Sequence, residues 1–202
     1  MKSQRKLQGE QTKEKIYNTA ISLFSAQGYK NVTVDTICKT VGIAKGTFYV
    51  HFRTKEDIIK SIYREMVLAH LQKAMKKYKE DNPKSSNLDK LYFYCISSLQ
   101  FCKENSVELT SLSYVTHINA VMETRCSWYG NGFDLGYLKK LVIECKDKKE
   151  TKEELSVDYM VSCLSKVING AVIDWCLSNG EYDIVETNRQ FFAGLIYQNF
   201  QI

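Results

Sequence analysis

Residues 33–57 read TVDTICKTVGIAKGTFYVHFRTKED, and Gly42 divides them. Val34, Ile37 and Val41 fall at i, i+3 and i+7 and form one apolar stripe of a short helix. Thr33 stands where a hydroxyl caps the free N–H groups of that helix's first turn. Gly42 stops the helix, because glycine takes positive φ without steric cost, and Ile43 follows as an apolar plug. A second short helix spans 44–52. Its Phe48 and Phe52 are four apart and face inward, leaving Lys45, Thr47, Tyr49 and His51 on other faces. Gly46 is a poor helix former, but it lets the backbone approach another surface. Thr54 and Asp57 make a capping box for a long helix starting near residue 55. Helix, glycine turn and helix form the layout of a helix-turn-helix, whose second helix enters the DNA major groove.

The segment upstream completes a small domain. Ile16, Ala20, Leu23 and Phe24 lie at helical spacing within 12–27, and Gly28 ends that helix. The pattern A-x-x-L-F-x-x-x-G-Y-x-x-x-T-V-x-x-I-x-x-x-V-G-I-x-K-G-T-F-Y-x-H-F-x-x-K-E-D runs from Ala20 through Gly28, Tyr29, Thr33, Gly42, Lys45 and Tyr49 to Asp57. Over these roughly forty residues, about a quarter of the chain, it resembles the TetR family of transcriptional regulators. The resemblance implies an all-α protein. Residues 1–54 would form an N-terminal arm and three-helix DNA-binding domain. Residues 55–202 would form a helical ligand-binding and dimerisation domain, with a helix over 55–79 linking the two. It also implies that Lys45, Gly46 and Thr47 face the groove, that Tyr49 and His51 reach the phosphates, and that Lys55 clamps a phosphate at a helix N-terminus. Thr33 and Thr36, at the start of the first short helix, stand where they can donate to phosphate.

Charge is distributed to match. Residues 1–80 hold 16 Lys and Arg against 7 Asp and Glu, whereas residues 81–202 hold 12 against 16. A basic first part favours a polyanion. Lys2, Arg5 and Lys6 precede the first expected helix and read either as a flexible arm along a groove or phosphates or as a disordered tail, while Lys73, Lys76, Lys77 and Lys79 read as a solvated face. The N-terminus is polar, without the apolar stretch of a secretory signal, and no apolar run reads as membrane-spanning. Seven cysteines without tight spacing suit a reducing, cytoplasmic compartment.

The remaining chain reads as helices. Breaks fall at 81–87, at Asn131-Gly132, in the charged stretch 148–152 and at Asn179-Gly180. Ser106, Asp134, Thr151 (with Glu154) and Asp183 (with Glu186) are the expected caps. Met160, Leu164, Val167, Ile168, Ala171 and Leu177 on one helix exceed what a single small partner needs, as do Phe191, Phe192, Leu195, Ile196 and Phe200 on the last. With the small residues Gly170, Ala193 and Gly194 they read as a homodimer interface, which the family resemblance also implies. A two-fold protein presents two recognition helices about one DNA turn apart, ~34–36 Å, and reads a palindrome.

TetR-like proteins commonly hold a small ligand in the second domain. Tyr92, Phe93, Phe101, Tyr114, Trp128, Tyr129, Phe133, Tyr137, Tyr159 and Trp175 are candidates to line such a site for a hydrophobic or aromatic effector, and Glu108, Glu123, Asp158 and Asp174 are candidate buried carboxylates. A redox- or metal-responsive regulator using Cys95, Cys102 and the other cysteines is the competing account of the signal, and activation the alternative to repression. The three histidines make no ligand spacing with the cysteines. No nucleophile elbow, phosphate loop, dinucleotide fingerprint or zinc-protease motif occurs, so neither an enzyme nor a cofactor is expected.

Overall fold

The computed structural model describes residues 4–124 and 135–202. Among these residues the elements are α1 (Gln4–Gln27), α2 (Val34–Val41), α3 (Lys45–His51), α4 (Lys55–Asp81), α5 (Asn87–Glu104), α6 (Val107–Thr124), α7 (Leu135–Asp147), α8 (Val157–Leu177) and α9 (Ile184–Ala193). A 3-10 turn, Tyr29–Asn31, follows α1, and a π-helical segment, Gly194–Phe200, continues α9. The only β-type pairing among the described residues is an isolated antiparallel bridge between Thr151 and Gln201. Two compact units result, Met1–Ile62 and Tyr63–Ile202, so the first turns of α4 belong with the helix-turn-helix.

The first unit is organised by its turns. Thr33 Oγ1 accepts the Thr36 N–H at 3.1 Å and starts α2. Gly42, at φ 79°, lets its own N–H and that of Ile43 close on Cys38 O at 2.9 and 3.0 Å. Asp57 Oδ2 accepts from the Arg53 and Thr54 N–H groups, and Thr54 Oγ1 accepts from Asp57 N–H, which gives the expected capping box. Ile16, Ala20, Phe24, Ile37, Phe48, Phe52 and Ile58 are buried.

The second unit is built around α5, which contacts α7, α8 and α9. Its Leu88, Leu91, Tyr94, Cys95, Ile96, Leu99, Phe101 and Cys102 are all buried, so the helix is apolar nearly all round. Its N-terminus is held twice. Ser86 and Asp89 form a reciprocal capping box, and the Glu150 carboxylate accepts from Asn87 N–H at 3.2 Å and Leu88 N–H at 2.9 Å. A negative group there also meets the positive end of the helix dipole.

Several expectations change in the folded chain. α1 begins at Gln4, so positions 5 and 6 continue a helix instead of forming an arm; Lys2 lies outside the described residues. Thr151 does not cap α8: it is buried and bridged to Gln201, and Ser156 Oγ caps the helix by accepting Tyr159 N–H at 3.1 Å. Asp183 does cap α9, accepting from Val185 and Glu186 N–H. None of the described candidate carboxylates is buried. Glu108 is exposed, Asp158 pairs with Lys139 at 2.8 Å, and exposed Asp174 accepts from Tyr182 Oη at 2.6 Å. The Glu123 side chain, Asn131-Gly132, Asp134 and Cys126 lie outside what is described. Finally, α8 is long and apolar enough by composition to cross a membrane, with mean hydropathy 1.3. One face of it is protein core, carrying Met160, Leu164, Ile168, Val172 and Trp175.

Candidate nucleic-acid interface and effector cleft

α3 has seven residues and one buried side chain, Phe48, fully enclosed; Phe52, just after it, is also buried. These two phenylalanines, 5.9 Å apart between ring centroids, fix the helix to its domain. Every other face is then determined by the helical repeat of about 100° per residue. Tyr49 is 54% exposed, and its ring stands edge-on to Phe48 at 5.5 Å, so the hydroxyl is carried outward on a supported ring. Thr47 and His51 are half-buried on the opposite flank. Lys45 is exposed and meets Asp35 of α2 at 2.6 Å. With both side chains more than half exposed, that ion pair is weak, on the order of 0–1 kcal/mol, and opens readily to a phosphate. Thr33 and Thr36 lie together at the start of α2, their hydroxyls 3.0 Å apart.

Lys55, expected to clamp a phosphate, has partners within its own unit. Its ammonium donates to Tyr29 O and Val32 O, each at 3.0 Å, and lies 4.0 Å from the centroid of the Tyr29 ring. Beside it, Tyr29 Oη donates to the Glu56 carboxylate. Burial, then that carboxylate's hydrogen bond and charge, push the Tyr29 hydroxyl well above its usual range. Burial alone would raise Glu56, but hydrogen bonds from Tyr29, its own backbone and Thr54 lower it overall. Lys55, Tyr29 and Glu56 therefore tie the start of α4 to the turn after α1.

One residue of this surface escaped the sequence reading. Val50 is 79% exposed, the most exposed large apolar side chain of α3. It lies about 200° around the helix from Phe48. The helical wheel could have found it; the residue type, apolar and β-branched, suggested core instead.

Among the described residues, most of the aromatic side chains expected to line an effector site do not share a cavity. Phe101 is buried, with Tyr63 and His70 edge-on to its ring. Tyr114 is buried and donates to Asn169 Oδ1 at 2.9 Å. Trp175 is buried and donates to Tyr182 O at 3.0 Å. Tyr137 stacks on Tyr94 at 5.7 Å beside a crevice of only ≈ 10 Å³. Tyr159 is exposed, and Trp128, Tyr129 and Phe133 lie outside the described residues. A larger space is a cleft of ≈ 560 Å³ between α4 and α5, with Arg189 of α9 also in its lining. The stacked Tyr78 and Phe93 rings, 4.1 Å apart, line it together with Tyr92, Ile96 and His70, and Lys77, Asp81, Glu104 and Arg189 supply its charge. Of the described aromatic candidates, Tyr92 and Phe93 line this cleft, and Phe101, Tyr114, Tyr137, Tyr159 and Trp175 do not.

Residues 16–62 match the family described as bacterial regulatory proteins, tetR family. The chain is similar to the HTH-type negative transcriptional regulator IcaR of the biofilm operon icaADBC in Staphylococcus aureus, at 32% identity over 149 residues, covering 70% of this chain and 75% of the relative. It is 26% identical over 183 residues to the fatty acid metabolism regulator protein of Bacillus subtilis, covering 90% and 92%. Among solved structures, FadR of Thermus thermophilus, in complex with lauroyl-CoA, has the same fold, with a TM-score of 0.71 at 16% identity, covering 94% of this chain and 95% of that one. FadR of Bacillus subtilis, in complex with stearoyl-CoA, gives 0.61 at 21% identity, covering 91% and 97%. This chain belongs to the TetR family and is a helix-turn-helix, DNA-binding transcriptional regulator.

Proposed function

We propose that this regulator is a homodimeric repressor that binds a palindromic operator through α3 and leaves it when a small ligand with an apolar body occupies the second unit. The observation that carries the reading is the division of α3. Phe48 and Phe52 hold it from behind, leaving Lys45 and Tyr49 exposed on one flank and Thr47 and His51 half-buried on the other. Phosphate contacts from Lys45 and Tyr49, with Thr33 and Thr36 at the start of α2, fix register, and groove contacts set sequence. The backbone N–H groups at the start of α4 supply an anion site beside Lys55.

Dimerisation is supported by what α8 and α9 leave uncovered. Met160, Leu164 and Ile168 are consumed by the protomer's own core. Tyr159, Gly170, Ile173 and Leu177 are exposed, at steps of 11, 3 and 4 along α8, and Leu177 is 82% exposed. Phe191 on α9 is 61% exposed. A Cβ added at Gly170 would meet nothing within 4 Å, so the protomer's own packing does not require that glycine. A mid-helix glycine costs about 1 kcal/mol relative to alanine, and a second helix approaching closely gives the reason for it.

The cleft between α4 and α5 is the place we assign to the effector. Its ≈ 560 Å³ falls within the roughly 300–1,000 Å³ typical of small-molecule sites. The ligands of the two FadR structures make long-chain acyl-CoA the first class to test. Release then follows from differential affinity of the ligand for the operator-free form. Sensing through cysteines has less support: Cys95, Cys102 and Cys145 are buried, and burial pushes the Cys102 and Cys145 thiols up to about 12. The function is binding rather than catalysis, and its place is the bacterial cytoplasm. The test is fluorescence anisotropy of a labelled operator titrated with lauroyl-CoA, stearoyl-CoA and free coenzyme A. Acyl-CoA should weaken operator binding by roughly 5–150-fold, with no effect of coenzyme A alone. Unchanged affinity at saturating acyl-CoA rules out that class, and stoichiometric binding of one protomer per operator rules out the dimer.

A further inference from the structure

We infer that the base-reading apex of α3 is apolar, and that Val50 reads the 5-methyl group of a thymine in each half-site. The inference rests on the DNA-binding assignment and adds the chemistry of the readout. Taking the buried Phe48 as the back of the helix, Gly46 lies about 160° and Val50 about 200° around it. These two residues, one turn apart, form the ridge farthest from the domain core. Gly46 presents no side chain, and a Cβ there would meet nothing within 4 Å. Val50 is 79% exposed, and the protomer offers it no apolar cover.

The polar residues of α3 stand on the flanks. Lys45 is drawn toward Asp35 at 2.6 Å. Tyr49 is braced edge-on against Phe48. Thr47 and His51 are half-buried on the other side. A helix lying in the major groove with its core-distal ridge downward brings Gly46 and Val50 nearest the base edges. A ridge with no donor or acceptor side chain makes no bidentate hydrogen bond there. In the major groove the thymine 5-methyl is the apolar feature that distinguishes a base pair. Gly46 lets the backbone come close enough for the Val50 methyls to reach it. Exposed β-branched valine is also a poor choice for a seven-residue helix on propensity alone; a contact to DNA supplies the reason.

The experiment begins with the duplex motif that wild type selects from a random pool. Each thymine in it is replaced in turn by deoxyuridine, which lacks only the methyl. Affinities are measured for wild type, Val50→Ala and Val50→Thr. Burial of one methyl corresponds to about fourfold in affinity per half-site. Wild type should lose about that factor at one thymine position and little elsewhere. Val50→Ala should bind the thymine and uracil duplexes equally, and its own selected motif should relax at that position. Val50→Thr, which keeps one methyl, should fall between. Val50 is exposed, so neither substitution disturbs the core. A wild-type protein indifferent to every deoxyuridine, or a Val50→Ala protein with the same losses as wild type, overturns the inference while leaving DNA binding intact. Failure of wild type to select any motif overturns both, and is a separate result.

Discussion

Lys55→Ala should behave as a folding mutation of the first unit before it behaves as a DNA-binding one. The ammonium makes two hydrogen bonds of 3.0 Å to the carbonyls of Tyr29 and Val32 and lies 4.0 Å from the Tyr29 ring centroid. Charge-assisted hydrogen bonds contribute roughly 1.5–3 kcal/mol each, and a cation over an aromatic face about 0.5–2 kcal/mol. The site is only partly buried, so water replaces some of this when the side chain is removed. A net loss of about 2–4 kcal/mol remains, a large share of the ~5–15 kcal/mol that holds a typical domain. Both tryptophans, Trp128 and Trp175, lie in the second unit, so tryptophan fluorescence does not report the first. Amide hydrogen exchange over residues 33–52, read by mass spectrometry, does. Protection there should fall by roughly 30- to 800-fold in Lys55→Ala, while peptides of α5 and α8 are unchanged. A purely phosphate-binding lysine would give the reverse: unchanged exchange, and a slope of log affinity against log salt reduced in magnitude by about one. That outcome would refute the structural role argued from the two carbonyls.

The Tyr29–Glu56 pair gives the first unit a pH dependence at both extremes. Glu56 is held below its ordinary value, so its contribution is complete above about pH 4.3 and drains as pH falls through its folded value; Tyr29 is raised, so stability falls as pH rises above about 10. Tyr29→Phe should flatten both limbs in exchange protection measured from pH 3 to 11, and unchanged limbs would contradict the pairing. Ile173→Glu with Leu177→Glu should convert a dimer to a folded monomer by sedimentation, since both side chains are exposed on the protomer; a persistent dimer would move the interface elsewhere. Cys95, Cys102 and Cys145 should resist a thiol reagent at pH 8 in the native protein, with the less buried Cys163 and Cys176 reacting first. Rapid loss of operator binding on mild oxidation would favour the cysteine account of sensing.

The helix-turn-helix was legible because its signals are local. Thr33, Gly42, Thr54 and Asp57 each act within four residues, and their hydrogen bonds form as their spacing predicts. What failed depended on partners distant in sequence. Thr151 looks like a cap, but its backbone is bridged to Gln201, fifty residues on. The carbonyls that the Lys55 ammonium meets belong to a turn 23 and 26 residues earlier, and a local reading does not reach them. Among the described aromatic candidates, composition does not distinguish a filled core from a lined cleft. Phe101, Tyr114 and Trp175 fill, whereas Tyr78, Tyr92 and Phe93 line. On α8 the pattern gave an excess of apolar residues. Only the fold separates Met160, Leu164 and Ile168, which face the core, from Ile173 and Leu177, which do not.

The central claim is that α3 reads a palindrome in double-stranded DNA, and selection from a random duplex pool tests it most directly. Wild type and Lys45→Ala/Tyr49→Ala are compared, because both substituted side chains are exposed and the first unit should stay folded. The account predicts that wild type enriches one two-fold symmetric motif with half-site centres about 10 base pairs apart or a multiple of that. The double variant should enrich nothing, or the same motif far more weakly. Enrichment of an unsymmetrical motif would contradict dimeric readout, and an equally strong motif from the double variant would contradict the placement of α3 at the DNA.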